Sequence, residues 1–164
     1  MIIRDAENRD TADMCALLNA IIAKGGTTAH QRPFDPERMR KHYLAQSNFI
    51  SCIVAEDAGR VIGFQSLAWP GEDEGRLPKN WGVIASFVAD QAAGKGVGQR
   101  LFAATHQKAQ AAEVATIDAT IRADNVPGLR YYSGLGFVDY VRFKGVPLPD
   151  GTLVDRVCKR FDLP

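Results

Sequence analysis

The stretch that most limits what this chain can become runs from Val83 to Gly98, VIASFVADQAAGKGVG. It opens as an apolar run of β-formers and breaks into a loop with glycines at alternate positions, Gly94, Gly96 and Gly98. The segment that follows, QRLFAATHQKAQAA, lacks Gly and Pro and is rich in helix formers. A strand that passes through a tight loop into a helix cannot return as a hairpin. The next strand, VATIDATIR (Val114 to Arg122), must come back parallel through a right-handed crossover. The loop also carries chemistry. Glycines let backbone approach a ligand closely, and the unpaired N–H groups at a helix start face an anion. A phosphate or pyrophosphate is the ligand such a loop suits, and the absence of GxxxxGK[ST] argues against a nucleoside triphosphate site.

The rest of the chain supplies an antiparallel frame. Met1 to Arg4 reads as a short edge strand, with Asp10 as N-cap of a helix from Thr11 to Lys24. Met14, Leu17, Leu18, Ile21 and Ile22 form its inner face. Gly25 and Gly26 end it. Asp35-Pro36 begins a second helix expected to run to about Gln46, with Met39 and Tyr43 inward. Phe49 to Glu56 and Val61 to Trp69 flank the turn DAGR as a hairpin, and Trp81 to Ala89 is the central strand. Val97 to Ala112 is the third helix. Asp124-Asn125 and Pro127 start a short fourth one ending near Gly134. Phe137 to Lys144 and Thr152 to Phe161 close the chain as two strands. The order is β-α-α-β-β-β-α-β-α-β-β, an α/β (α+β) chain with a mixed, mostly antiparallel sheet, read as one domain over residues 1–164.

A chain of this size hides roughly 70% of its unfolded surface, enough for a substantial core. Its formal charge of +1 gives no electrostatic reason to expect nucleic acid or membrane as a partner. Cys15, Cys52 and Cys158 are scattered and odd in number, so free buried thiols in a reducing compartment are expected, with no metal site. The early charges of MIIRDAENRD do not read as a signal peptide, and a cytoplasmic location is expected.

The element order and two motifs resemble the GNAT superfamily of acetyl-CoA-dependent N-acetyltransferases. The motifs are AGKGVG (Ala93 to Gly98) and NVPGLRYYSGLGF (Asn125 to Phe137), in which Asn125, Gly128, Tyr132, Gly136 and Phe137 hold the family's places. The front half, LNAIIAKGGTTA, is similar to the phosphinothricin acetyltransferase branch. The resemblance implies acetyl-CoA as co-substrate and a primary amine of a small molecule, an amino acid or analogue, as acceptor. Transfer would be direct, in a ternary complex, and a homodimer is expected. It also implies that Gly94, Lys95, Gly96, Val97, Gly98 and Gln99 ring the pyrophosphate. Ala93 stands where the family has Arg or Gln, leaving that work to backbone amides, with Lys95 or Arg100 within reach.

The pantetheine arm would lie beside Ser86, Phe87 and Val88 like an added strand, with the Val88 amide facing the thioester oxygen. Tyr132 would protonate the departing thiolate, unless it is a core tyrosine. Asn125 either holds the pantetheine arm or caps the fourth helix. Val83 stands where the branch often has Glu, so the base stays open among Glu72, Asp73, Glu74, His30 and water. Trp69 and Trp81 could line the acceptor pocket or pack in the core. The alternatives are an acetyltransferase acting on protein N-termini or lysines, and a non-catalytic acetyl-CoA sensor.

Overall fold

A computed structural model describes residues 1–164. The elements follow the expected order: β1 (Ile2–Asp5), α1 (Thr11–Lys24), α2 (Pro36–Met39), β2 (Phe49–Asp57), β3 (Arg60–Ala68), β4 (Trp81–Val88), α3 (Val97–Ala111), β5 (Thr116–Arg122), α4 (Val126–Leu135), β6 (Val138–Pro147) and β7 (Leu153–Asp162). The seven strands form one sheet in the order β1-β2-β3-β4-β5-β7-β6. Every neighbouring pair is antiparallel except β4 and β5, the pair that the glycine loop and α3 connect.

Two layers of helix cover the sheet, and strand alternation assigns the side chains to them. On one face Met14, Leu17 and Leu18 of α1 and Met39 of α2 pack with Cys52, Val54 and Phe64, against Ala85 and Phe87 of β4. On the other face Phe102 and Ala109 of α3 and Tyr132 of α4 pack with Leu67, Ile84, Ile117, Ala119 and Ile121. All three cysteines are buried and free, as expected of them.

Two local expectations need correction. Asp10 stands at the cap position of α1, but its side chain makes no cap hydrogen bond to that helix and closes the capping box of the 3₁₀ turn before it. Its carboxylate accepts from both guanidinium nitrogens of Arg4 at 2.8 Å and from the Glu7 N–H at 2.7 Å, so it ties β1 to the helix start. The second helix is regular only from Pro36 to Met39, where Asp35 Oδ1 accepts from the Arg38 N–H at 2.7 Å. It then widens into a π turn over Arg40–Leu44, closed by the Ala45 N–H on Arg40 O at 2.8 Å. The widened turn carries buried Tyr43 into the core while its hydroxyl meets His30 Nε2 at 2.8 Å.

Candidate active site

The parallel junction is short. Trp81, Gly82 and Val83 pair with Thr116, Ile117 and Asp118, and there the ladder stops, although both strands continue. On its other edge β4 stays paired with β3 as far as Val88. The Ala89 N–H donates to Ile62 O at 2.9 Å, which sets the alternation for the strand. Phe87 and Ala85 spend their backbone groups on β3. Val88, Ser86 and Ile84 turn theirs the other way, to the edge that β5 has left. The N–H and C=O groups of Ser86 and Val88 therefore line a cleft with no strand opposite. Phe87 is turned away from it. Its ring lies 5.0 Å from Phe64 and 6.4 Å from His30, on the opposite face.

The cleft leads to the glycine loop. Gly94 and Gly96 have φ near +76°, where a side chain would be strained, and a Cβ on either would meet open space. Gly96 precedes α3 in the left-handed conformation with no side-chain cap, and the first intrahelical bond is Arg100 N–H to Gly96 O at 3.2 Å. The N–H groups of Val97, Gly98 and Gln99 thus have no carbonyl inside the helix to donate to, and the helix dipole adds partial positive charge there. The Val97 side chain is buried core, while Lys95 and Gln99 are exposed. Gly98 is required for another reason. A Cβ there would fall 2.5 Å from Cε1 of Tyr131.

Two adjacent tyrosines of α4 hold the cleft's inner wall. Tyr131 donates to Gly98 O at 2.7 Å and accepts from Gln65 Nε2 at 2.9 Å, which braces the start of α3. Tyr132 is buried with its hydroxyl 2.8 Å from Ser86 Oγ, and Gln65 Nε2 donates to the same Oγ at 2.8 Å. Tyr132 thus sets a phenol beside the unpaired edge of β4. Burial pushes it well above the ordinary tyrosine range, with the Ser86 hydrogen bond acting the other way. Burial likewise raises Tyr131, to about 12. Asn125 is the N-cap of α4. Its Oδ1 accepts from the Gly128 N–H at 3.0 Å and its Nδ2 donates to Thr27 O at 3.1 Å. A Cβ on Gly128 would meet that amide at 2.4 Å, so the motif's small residue makes room for its asparagine.

Strand, glycine loop and a tyrosine at a forked sheet coincide with the profile of the Acetyltransferase (GNAT) family, which matches residues 17–137. The chain belongs to that family. A Bacillus subtilis (strain 168) protein provisionally named as the phosphinothricin acetyltransferase YwnH is 30% identical over 166 residues, spanning 99% of this acetyltransferase and 95% of the relative. Among solved structures, a GNAT superfamily phosphinothricin acetyltransferase from Sinorhizobium meliloti in complex with acetyl-CoA superposes with a TM-score of 0.84. It is 18% identical, and the match covers 99% of this chain and 88% of that one. A ribosomal-protein-alanine N-acetyltransferase from Brucella melitensis superposes with a TM-score of 0.81 at 23% identity, over 99% and 100% of the two chains. At these identities the structural likenesses speak for the fold.

The carboxylates considered as bases lie in the loop between β3 and β4. Glu72 and Asp73 lie exposed on a 3₁₀ turn, and Glu74 is half-buried there. Burial raises Glu74 above its usual range, with Asp73 and Asp118 adding repulsion. His30 packs among Phe34, His42, Tyr43 and Phe87, and burial lowers it to about 4, with His42 and Arg38 contributing. It is a neutral wall of the α1–α2 face and a poor acceptor for an ammonium proton. Trp69 packs against the α3–α4 core, whereas Trp81 faces Tyr140 at 5.6 Å and carries the Arg160 guanidinium at 4.8 Å.

Gln65 and Asp118 belong to no motif in the sequence. Gln65 stands beside Ser66 in the run FQSLAW, and Asp118 falls on the polar side of the alternating TIDATIR, so only its charge within a strand marks it, and the burial of both is a tertiary fact.

Proposed function

We propose that this acetyltransferase moves an acetyl group from acetyl-CoA to the primary amine of a small molecule, an amino acid or analogue, by direct attack in a ternary complex. The observation that carries the reading is the forked β4–β5 junction with the Tyr132 hydroxyl at its edge. The residues fit the cofactor. An extended pantetheine arm can pair with the free groups of Ser86 and Val88 as an added strand. The amides of Val97, Gly98 and Gln99, with the loop Gly94-Lys95-Gly96, suit a pyrophosphate. Bound acetyl-CoA supplies the activated thioester. The Val88 amide donates to its developing oxyanion, and the Tyr132 phenol gives the departing thiolate a proton. Asn125 caps α4 and, through its remaining Nδ2 hydrogen, can reach the arm. The name borne by the Bacillus subtilis relative supports a small acceptor. We also propose a homodimer formed through the outer strands β6 and β7, where Val138 and Leu153 are 60% and 66% exposed.

Free-thiol release with acetyl-CoA and a panel of amino acids, polyamines and peptides tests the activity. Turnover confined to small amines is expected. Turnover of peptides in preference would replace the acceptor class. Tight acetyl-CoA binding with no turnover on any amine would make the protein a sensor.

A further inference from the structure

The fork has a second wall, on the face opposite Tyr132. Asp118 of β5 is 1% exposed and sits in the last rung of the parallel ladder, opposite Val83. Register partners present side chains on the same face, so the Asp118 carboxylate shares the α1–α2 side of the sheet with Val83, Ala85 and Phe87. Its own hydrogen bonds hold it in place. Thr120 Oγ1 donates to Oδ2 at 2.8 Å, and the Tyr140 hydroxyl donates to Oδ1. The covering cation is anchored beside the carboxylate more than on it, by Cys158 Sγ at 3.3 Å from Nη2 and by the Phe143 ring. Arg76 Nη2 reaches Oδ1 only at 3.5 Å, the limit of a hydrogen bond, while its Nη1 donates to Tyr140 at 2.9 Å. Arg76 belongs to the loop before β4, and its side chain is more than a third exposed. Beside the carboxylate, Thr120 is exposed on the stretch of β5 that has parted from β4. A buried carboxylate at the apex of a cleft, with an open flank, is placed to take a proton from that cleft.

We infer that Asp118 is the general base of the reaction, drawing a proton from the acceptor's ammonium group through water in the fork. The inference rests on the acetyl-transfer reading above. A relay is needed because Val88 lies five residues, about 16 Å, along β4 from Asp118's partner Val83. The ammonium passes one proton through that water to the Asp118 carboxylate. The freed nitrogen lone pair then attacks the thioester carbonyl carbon, and the C–S bond breaks as the carbonyl re-forms. The thiolate takes a proton from Tyr132, and the nitrogen's second proton restores the phenol. Asp118 releases its proton to water, so amide, free thiol and one proton leave. Acid and base therefore stand on opposite faces of one fork, near enough that the Asp118 charge acts on the Tyr132 phenol. Arg76, more than a third exposed beside the site, is a partner for an acceptor carboxylate, which favours zwitterionic amino acids over simple amines.

The test is steady-state acetyl transfer as a function of pH, with the best amine of the wild-type protein. The groups facing Asp118 are Arg76 and Glu74 from the loop, Tyr140 from β6, Cys158 and Arg160 from β7, and Tyr132 across the fork. Asp118→Asn keeps the side chain's shape. Its kcat should fall by about 10²-fold with KM for acetyl-CoA unchanged, and the rate should climb with pH as free amine replaces ammonium. Adding Val83→Glu to Asp118→Asn moves a carboxylate one strand across on the same face and should recover about tenfold or more. Wild-type kcat in Asp118→Asn would overturn the inference. So would a loss that neither alkaline pH nor Val83→Glu relieves, since Asp118 would then be structural. A wild-type protein inactive on every amine removes the acetyl-transfer reading itself. That outcome is separate from an active wild type matched by its variant.

Discussion

Tyr131 and Tyr132 leave α4 one position apart, roughly 100° around the helix axis, and that rotation separates their work. Tyr131 points down the start of α3 and braces Gly98, whereas Tyr132 points at Ser86. The resemblance to the family motif points to Tyr132, but which hydroxyl meets the strand depends on where α4 sits over β4, a long-range matter. Tyr132→Phe should lower kcat by about 10²-fold with KM for acetyl-CoA little changed, the pattern of an interaction made only in the transition state. An unchanged rate and pH profile would remove the phenol from the chemistry. Gly98→Ala acts on the neighbour. The new methyl lies within 2.5 Å of Tyr131, so the ring must move, at a cost of about 1–3 kcal/mol in urea unfolding. Calorimetry should show weaker acetyl-CoA binding. Gly134→Ala in the same helix α4, with nothing within 4 Å of its Cβ, should instead stabilise by roughly 0.5–1 kcal/mol.

At the scale of elements, periodicity and punctuation located every strand and helix in order, and α1 matched residue for residue. Local chemistry sets those features: Pro36 after Asp35, Gly25 after Lys24, the turn residues DAGR between the apolar runs of β2 and β3. What escaped was decided by tertiary contact. The π turn over Arg40–Leu44 has no local signal, since Met39 and Tyr43, four residues apart, would share a face in a regular helix as well. The polar Gln65 and Asp118 depend on partners distant in sequence, Ser86 and Tyr131 for one, Arg76 and Tyr140 for the other. The segment from Thr28 to Tyr43 also carries a pH response. Burial holds His30 at about 4, so the folded value lies below the unfolded one. The stability gained by keeping it neutral is complete above about pH 6.5 and is lost as pH falls towards about 4. Urea unfolding should lose on the order of 2 kcal/mol between about pH 7 and pH 4.5, allowing for partial solvent screening. His30→Gln should flatten most of that slope, and the remainder belongs to His42, which burial also lowers.

For the whole molecule, the two helical layers leave the outer strands β6 and β7 as the exposed flank. Val138 and Leu153 have no apolar cover there. The homodimer proposed through this flank predicts that light scattering gives twice the mass of the 17.9 kDa chain. Leu153→Lys together with Val138→Lys should give a monomer with its fold intact. A wild-type monomer at all concentrations would withdraw the dimer.

The fork in the sheet has a mechanical meaning as well. Across the seam between β4 and β5 the backbone is riveted at three positions only, so rigidity there depends on side chains such as Leu67, Ile84, Phe102 and Ile117. An extended arm laid along β4 would act as a splint and supply rivets that the protein leaves out. Amide exchange at Ser86 and Val88 should slow when acetyl-CoA binds, while the β2–β3 hairpin, already fully laced, should not respond. The proposed binding mode thus predicts a protein stiffer when loaded than when empty.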